Sequence, residues 1–140
     1  MNPERAKQRA ETVFWRQVVR GLVEARDGNR CRMCGERSPW MEMHHVVYLS
    51  RGGVDHPANA LMLCRDHHQA VHARIEPCPM PQAGREDGVI AVIQSRDYGT
   101  REYATAPPMP GSIVTQREKL WLVGTTRFHH EPVKVVYRGV

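Results

Sequence analysis

No apolar run in these 140 residues approaches the ~20 that a membrane-crossing helix needs, which excludes a helical span. Residues 1–11, MNPERAKQRAE, lack the apolar core of a secretory signal. The expectation is a cytoplasmic protein of a bacterium, or of a virus or mobile element acting inside a cell. Aromatic residues make up only 6% and hydrophobic residues 41%, so the core is expected to be small. No internal repeat is present. Proline and glycine are not scarce: ten and eleven of them imply many turns and few long elements. Negative charge falls short of positive, leaving a net +5, which suits a polyanionic partner, chiefly nucleic acid.

What the chain does have is concentrated. Six of its eight histidines and all four cysteines lie in residues 31–78. In a reducing compartment cysteines at such spacings suggest metal rather than disulfides. Cys31-x-x-Cys34 lets two thiolates reach one tetrahedral ion, and Gly35 permits the tight turn. Two thiolates are half of a closed site. Cys64-x-x-His67 has the same spacing at a helix start, so Cys31, Cys34, Cys64 and His67 form a Cys3His zinc set. A thiol redox pair at Cys31 and Cys34 is the competing reading, and it leaves the histidines without a purpose. Cys78, between prolines, reads as unliganded.

Residues 4–25 contain no proline and space Val13, Phe14, Val18 and Leu22 as a helix does, with a turn at Asp27-Gly28-Asn29. MEMHHVVYL reads as a strand, SRGGVDHPAN as a loop, and the chain becomes helical from about Arg65 until Pro77 stops it. On that helix His68 and His72 are four apart and share a face, while His67 is one step away. His44 on the preceding strand can join them around a second ion. Three imidazoles suit Zn, Ni, Co or Fe and leave open positions for phosphate oxygens and water. His45 points to the opposite side of the strand. With an unperturbed pKa near ~6.5 it can accept a proton from water, or it is a hydrogen-bonded structural histidine.

The alternating prolines at 77, 79 and 81 forbid helix and a paired central strand, and mark a boundary. Beyond it VIAVI, REYAT, LWLVGTT and VKVVY read as short strands, with APPMPG as a rigid spacer. The tail shows no recognisable chemistry. Tyr98, Tyr103, Trp121 and Tyr137 are expected to pack a small β core rather than stack on bases, and His129 and His130 to lie at the surface. The division is residues 1–27, an N-terminal helix; 28–78, the metal-binding core; and 79–140, a proline-rich linker and β-rich region.

The dispersed pattern CRMC, EMHHVVYLSRGG and NALMLCRDHHQAVH, with its lead-in EARDGNRC, resembles the HNH endonuclease family over about residues 27–75. The resemblance implies an α+β fold: a ββα-metal (HNH) finger with a zinc knuckle at its base, here with an N-terminal helix and a small β-rich C-terminal appendage. It implies that His45 is the general base and that His44 and His68 are metal ligands. Asn59 would orient the base or tie down the loop, and His72 would be a ligand or a phosphate contact. The second zinc pair in the family is usually Cys-x-x-Cys; His67 stands in its last place, which leaves the division of duties between His67 and His68 open. Glu42 either orients a ligand histidine or is merely exposed.

The activity so implied is metal-dependent DNA hydrolysis leaving 5′-phosphate and 3′-hydroxyl ends, with the finger approaching from the minor groove. The cofactors would be a structural Zn2+ and a catalytic divalent ion (Zn2+, Ni2+, Mn2+ or Mg2+). Arg30, Arg32, Arg51 and Arg65 would contact phosphates, and the C-terminal region is a candidate surface for a protein partner. The competing class is a zinc-stabilised nucleic-acid-binding module without catalysis, which needs the zinc set but not His44, His45, Asn59, His68 and His72 together.

Overall fold

The structure is a computed structural model and describes residues 2–38, 40–81, 88–110, 112, 120–124 and 130–139. Residues 82–87 of the proline-rich segment, Gly111, Thr125, Thr126 and His129 lie outside the described residues.

Helix α1 runs Pro3–Asp27. It begins where Asn2 offers its side-chain oxygen to Glu4 N–H at 2.8 Å, with Pro3 in the first turn, where the missing N–H costs nothing. It ends at Gly28, whose φ of 77° turns the chain out of the helix while its N–H closes on Glu24 O at 2.8 Å. The apolar stripe is wider than the sequence spacing suggests. Trp15, Val19 and Val23 are buried beside Phe14, Val18 and Leu22. The reason is tertiary, because α1 packs against both β2 (Ala60–Leu63) and β5 (Leu120–Gly124). Burying each such side chain stabilises the fold by roughly 1.5–3 kcal/mol.

Strand β1, Glu42–His45, pairs antiparallel with β2, placing His44 opposite Leu61 and His45 opposite Ala60. All four residues of β2 are buried. The strand predicted from MEMHHVVYL is cut short at His45. Its partner begins only at Ala60, after the turn of 3-10 helix at Pro57–Asn59, so Val46 and Val47 bond to Asn59 instead. Helix α2, Arg65–His72, also stops sooner than Pro77 requires. Arg74 adopts a left-handed conformation (φ 59°), and Ile75 N–H turns back to Ala70 O at 2.9 Å.

Strands β3 (Val89–Ser95), β4 (Gly99–Thr105), β5 and β6 (His130–Gly139) form an antiparallel sheet in the order β4-β3-β6-β5. Its inward residues, Ala91, Ile93, Tyr103, Val123, Val133 and Val135, join the same core cluster as the buried face of α1 and all of β2. Tyr98, Trp121 and Tyr137 pack against that cluster, as expected, and His130 is exposed. The fold is α+β. Among the described residues no helix is long and apolar enough to cross a membrane.

Arg26, 4% exposed, stitches the end of α1 to the turn ahead of β2. Its guanidinium donates to Asp27 Oδ2 at 2.7 Å, to Pro57 O at 2.8 Å and to Ala60 O at 2.9 Å. A buried cation is tolerated only when paired and bonded in this way.

Candidate metal centres and base

Two groups of side chains that could hold a metal ion lie between Cys31 and His72. The first is Cys31, Cys34, Cys64 and His67, whose ligand atoms all lie within 4.8 Å of one another. Cys34 Sγ is 4.0 Å from Cys64 Sγ, and His67 Nδ1 is 3.7 Å from Cys31 Sγ and 3.0 Å from Cys64 Sγ. Tetrahedral zinc with Zn–S near 2.3 Å requires ligand–ligand edges of about 3.5–3.8 Å; these distances scatter around that range, and three thiols with one imidazole are a donor set that could hold the ion after small side-chain shifts. The knuckle is shaped by Gly35 N–H to Cys31 O and Cys31 N–H to Glu36 O, each 2.9 Å, and it is hung on β2 by Arg32 N–H to Met62 O.

Burial raises the Cys31 thiol, but the backbone of Cys64, Cys34 and Met33 outweighs it and brings the pKa to about 7. Burial, reinforced by Cys31, pushes Cys64 up to about 11. The first thiolate therefore forms readily and the second is resisted, the condition that a cation between them relieves. Cys78 lies outside both groups and donates its thiol to Pro79 O at 3.3 Å.

The second group is His44, His68 and His72, again within 4.8 Å. Strand alternation puts Glu42 and His44 on the side that faces α2. The His44 ring lies 5.2 Å from that of His68 and 5.1 Å from that of His72. Burial first, then the neighbouring imidazoles, hold the His44 pKa down to about 4, so this ring is a neutral donor at physiological pH.

The outer nitrogens of the two helical rings are occupied. Glu42 Oε1 lies 3.2 Å from His68 Nδ1, and the Tyr48 hydroxyl lies 3.1 Å from His72 Nδ1 with its ring stacked on the imidazole. Both histidines thus present Nε2 to the same point, the two Nε2 atoms being 2.9 Å apart. Of the two readings of Glu42, the contact is with a ligand candidate, but with His68 on the helix rather than with its strand neighbour His44. Tyr48 was not singled out by sequence; its only signal was an aromatic at the end of the histidine strand.

His45 turns the other way and places Nε2 2.9 Å from Asp55 Oδ1. Asn59, 8% exposed, bonds the loop and not His45: its Oδ1 accepts from Val47 N–H, and its Nδ2 donates to Val47 O and Val54 O. Inside that loop Gly53 admits no side chain, since a Cβ there would sit 1.9 Å from Val47 O.

The arginines divide by place. Arg65 lines a groove of about 980 Å³ together with His68, His72 and the exposed Trp40. Arg51 lines another of about 640 Å³ with His44, Tyr48 and Arg74. Arg30 and Arg32 border a separate hollow with Cys31, which none of the three histidines lines.

Residues 31–74 match the family model described as HNH endonuclease. The chain is also 30% identical, over 74 residues, to the Type IV methyl-directed restriction enzyme EcoKMcrA of Escherichia coli (strain K12). That match covers 46% of this chain and 27% of the relative, so the chain spans about a quarter of its length. No solved structure matches significantly. Two paired strands and a helix, carrying a histidine trio and a Cys3His group, agree with that match, so over residues 31–74 the chain is similar to the HNH endonuclease family.

Proposed function

We propose that this chain is a metal-dependent DNA endonuclease in which residues 28–78 are the nuclease core and His45 is the general base. One observation carries the reading. The strand that delivers His44 to His68 and His72 also delivers His45, one residue on, to the opposite side. Ion holding and proton transfer are thereby assigned to different side chains.

His44, His68 and His72 would hold a divalent ion, which supplies charge stabilisation at the phosphoryl oxygens and the departing 3′ oxygen. His45 takes a proton from water as the water oxygen bonds to phosphorus. The P–O3′ bond breaks, leaving a 5′-phosphate and a 3′-hydroxyl whose proton comes from solvent. Cys31, Cys34, Cys64 and His67 would hold zinc that supports the finger without entering the chemistry. DNA is the substrate this machinery suits, the chain being basic. Arg51 and Arg65, in the grooves that reach the histidines, are the arginines placed to bind its phosphates.

The test is supercoiled plasmid incubated with the zinc-loaded chain and Ni2+, Mn2+ or Mg2+. Wild type is expected to cut, and His45→Ala to lose at least ~10²-fold in rate while keeping its zinc and its melting temperature. Undiminished cutting by that variant removes His45 from the role. Plasmid binding without cutting by wild type would favour the non-catalytic zinc module.

A further inference from the structure

We propose that Asp55 is the positioning residue of the base, and that Arg16 of α1 supports it from outside the family-matched segment. The inference rests on the reading of His45 as the base. A carboxylate only accepts, so the contact of 2.9 Å between Asp55 Oδ1 and His45 Nε2 places the imidazole proton on Nε2. The neutral ring then keeps its lone pair on Nδ1, which makes no hydrogen bond among the described residues. The pair is partly shielded, with side-chain exposures of 14% for His45 and 24% for Asp55, so the carboxylate acts in a less screened setting than a surface pair.

Asp55 is held there by its neighbours. Asn59 Nδ2 fixes Val54 O at 2.8 Å, immediately before Asp55, and the same amide clamps Val47, two residues after His45. The one asparagine therefore fixes both chain segments that meet in the pair. The second carboxylate oxygen faces Arg16 Nε at 3.8 Å. Arg16 and Arg101 of β4 line one small cleft with Asp55, so the carboxylate is flanked by residues from α1 and from the C-terminal sheet.

When Nδ1 takes the proton of the attacking water, the ring becomes a cation with N–H groups at both nitrogens. Asp55 already faces the Nε2–H and stabilises the charge. The proton then leaves Nδ1 to solvent, and the ring returns to its starting tautomer. Asp55 gains no proton and touches no substrate.

The experiment uses the full zinc-loaded chain with ¹⁵N-labelled histidine, the His45 signals being assigned by comparison with His45→Gln. Wild type is expected to show a downfield, slowly exchanging Nε2–H proton on His45 with an unprotonated Nδ1, and Asp55→Ala to lose it. In plasmid cutting Asp55→Ala is expected to lower kcat roughly 10–100-fold with KM kept. Asp55→Glu should recover part of that loss and Asp55→Asn should not. An Nδ1–H tautomer in wild type, or a proton signal unchanged in Asp55→Ala, overturns the inference even if His45→Ala abolishes cutting. A chain that shows the bonded proton but cuts no plasmid instead overturns the function reading, and with it the catalytic purpose of Asp55.

Discussion

Burial and two facing imidazoles make His44 a poor base and a ready donor. Folding lowers its proton affinity, from 6.5 to about 4, so between those values the unfolded chain binds more protons. The stability this residue contributes is whole above pH 6.5 and is lost as the pH falls through about 4. With no divalent ion added beyond the zinc proposed for the Cys3His group, lowering the pH from 7 to 5 should cost at most about 2 kcal/mol through His44. Urea unfolding at the two pH values checks this: the drop should be smaller in His44→Gln than in wild type by about that amount. Cys31 is the opposite case, a donor whose thiol is brought down to about 7. Cys31→Ser should lose zinc, measured by a colorimetric chelator. It should also fail to fold, because structural zinc contributes on the order of 10 kcal/mol in small zinc domains.

At the scale of elements, the loop between β1 and β2 sets the site more than either strand does. It carries Tyr48 to His72 and Asp55 to His45, and a single asparagine side chain holds it closed. Asn59→Ala leaves Val47 N–H, Val47 O and Val54 O without this partner and should destabilise the fold by about 3 kcal/mol. Gly53→Ala should cost as much or more by pushing Val47 away. Gly52→Ala, strained only by its φ of 84°, should cost about 1 kcal/mol. Chemical denaturation of the three zinc-loaded variants ranks them. The loop was legible as a loop from Gly52, Gly53 and Pro57. Its use of Asn59 as a clamp was not, because an asparagine in sequence does not say which backbone groups it faces.

At the scale of the whole molecule, the basic charge is sorted by location. Arg51 and Arg65 share grooves with the histidines, whereas Arg30 and Arg32 sit by the knuckle. Arg51→Ala and Arg65→Ala should each flatten the plot of log affinity against log salt by about 0.9. Arg30→Ala should change it less, as titrated by fluorescence anisotropy with a short duplex. The C-terminal strands, which read as an appendage without chemistry, share one core with α1 and β2 and bring Arg101 beside Asp55.

The sequence by itself determined the donor chemistry. Two-residue spacers allow two ligands to share an ion, four residues make one helical face, and strand alternation separates His44 from His45. These are local rules, set by backbone geometry within a few residues. The four tail strands were legible for the same reason, since alternation and turn residues are local. Only the tertiary structure decided what meets across longer separations: Asp55 with His45, Glu42 with His68, Tyr48 with His72 and Arg16 with Asp55. Each joins side chains whose meeting depends on how the loop closes and how α1 seats against β2. No local period encodes those contacts, because they are fixed by the packing of a shared core.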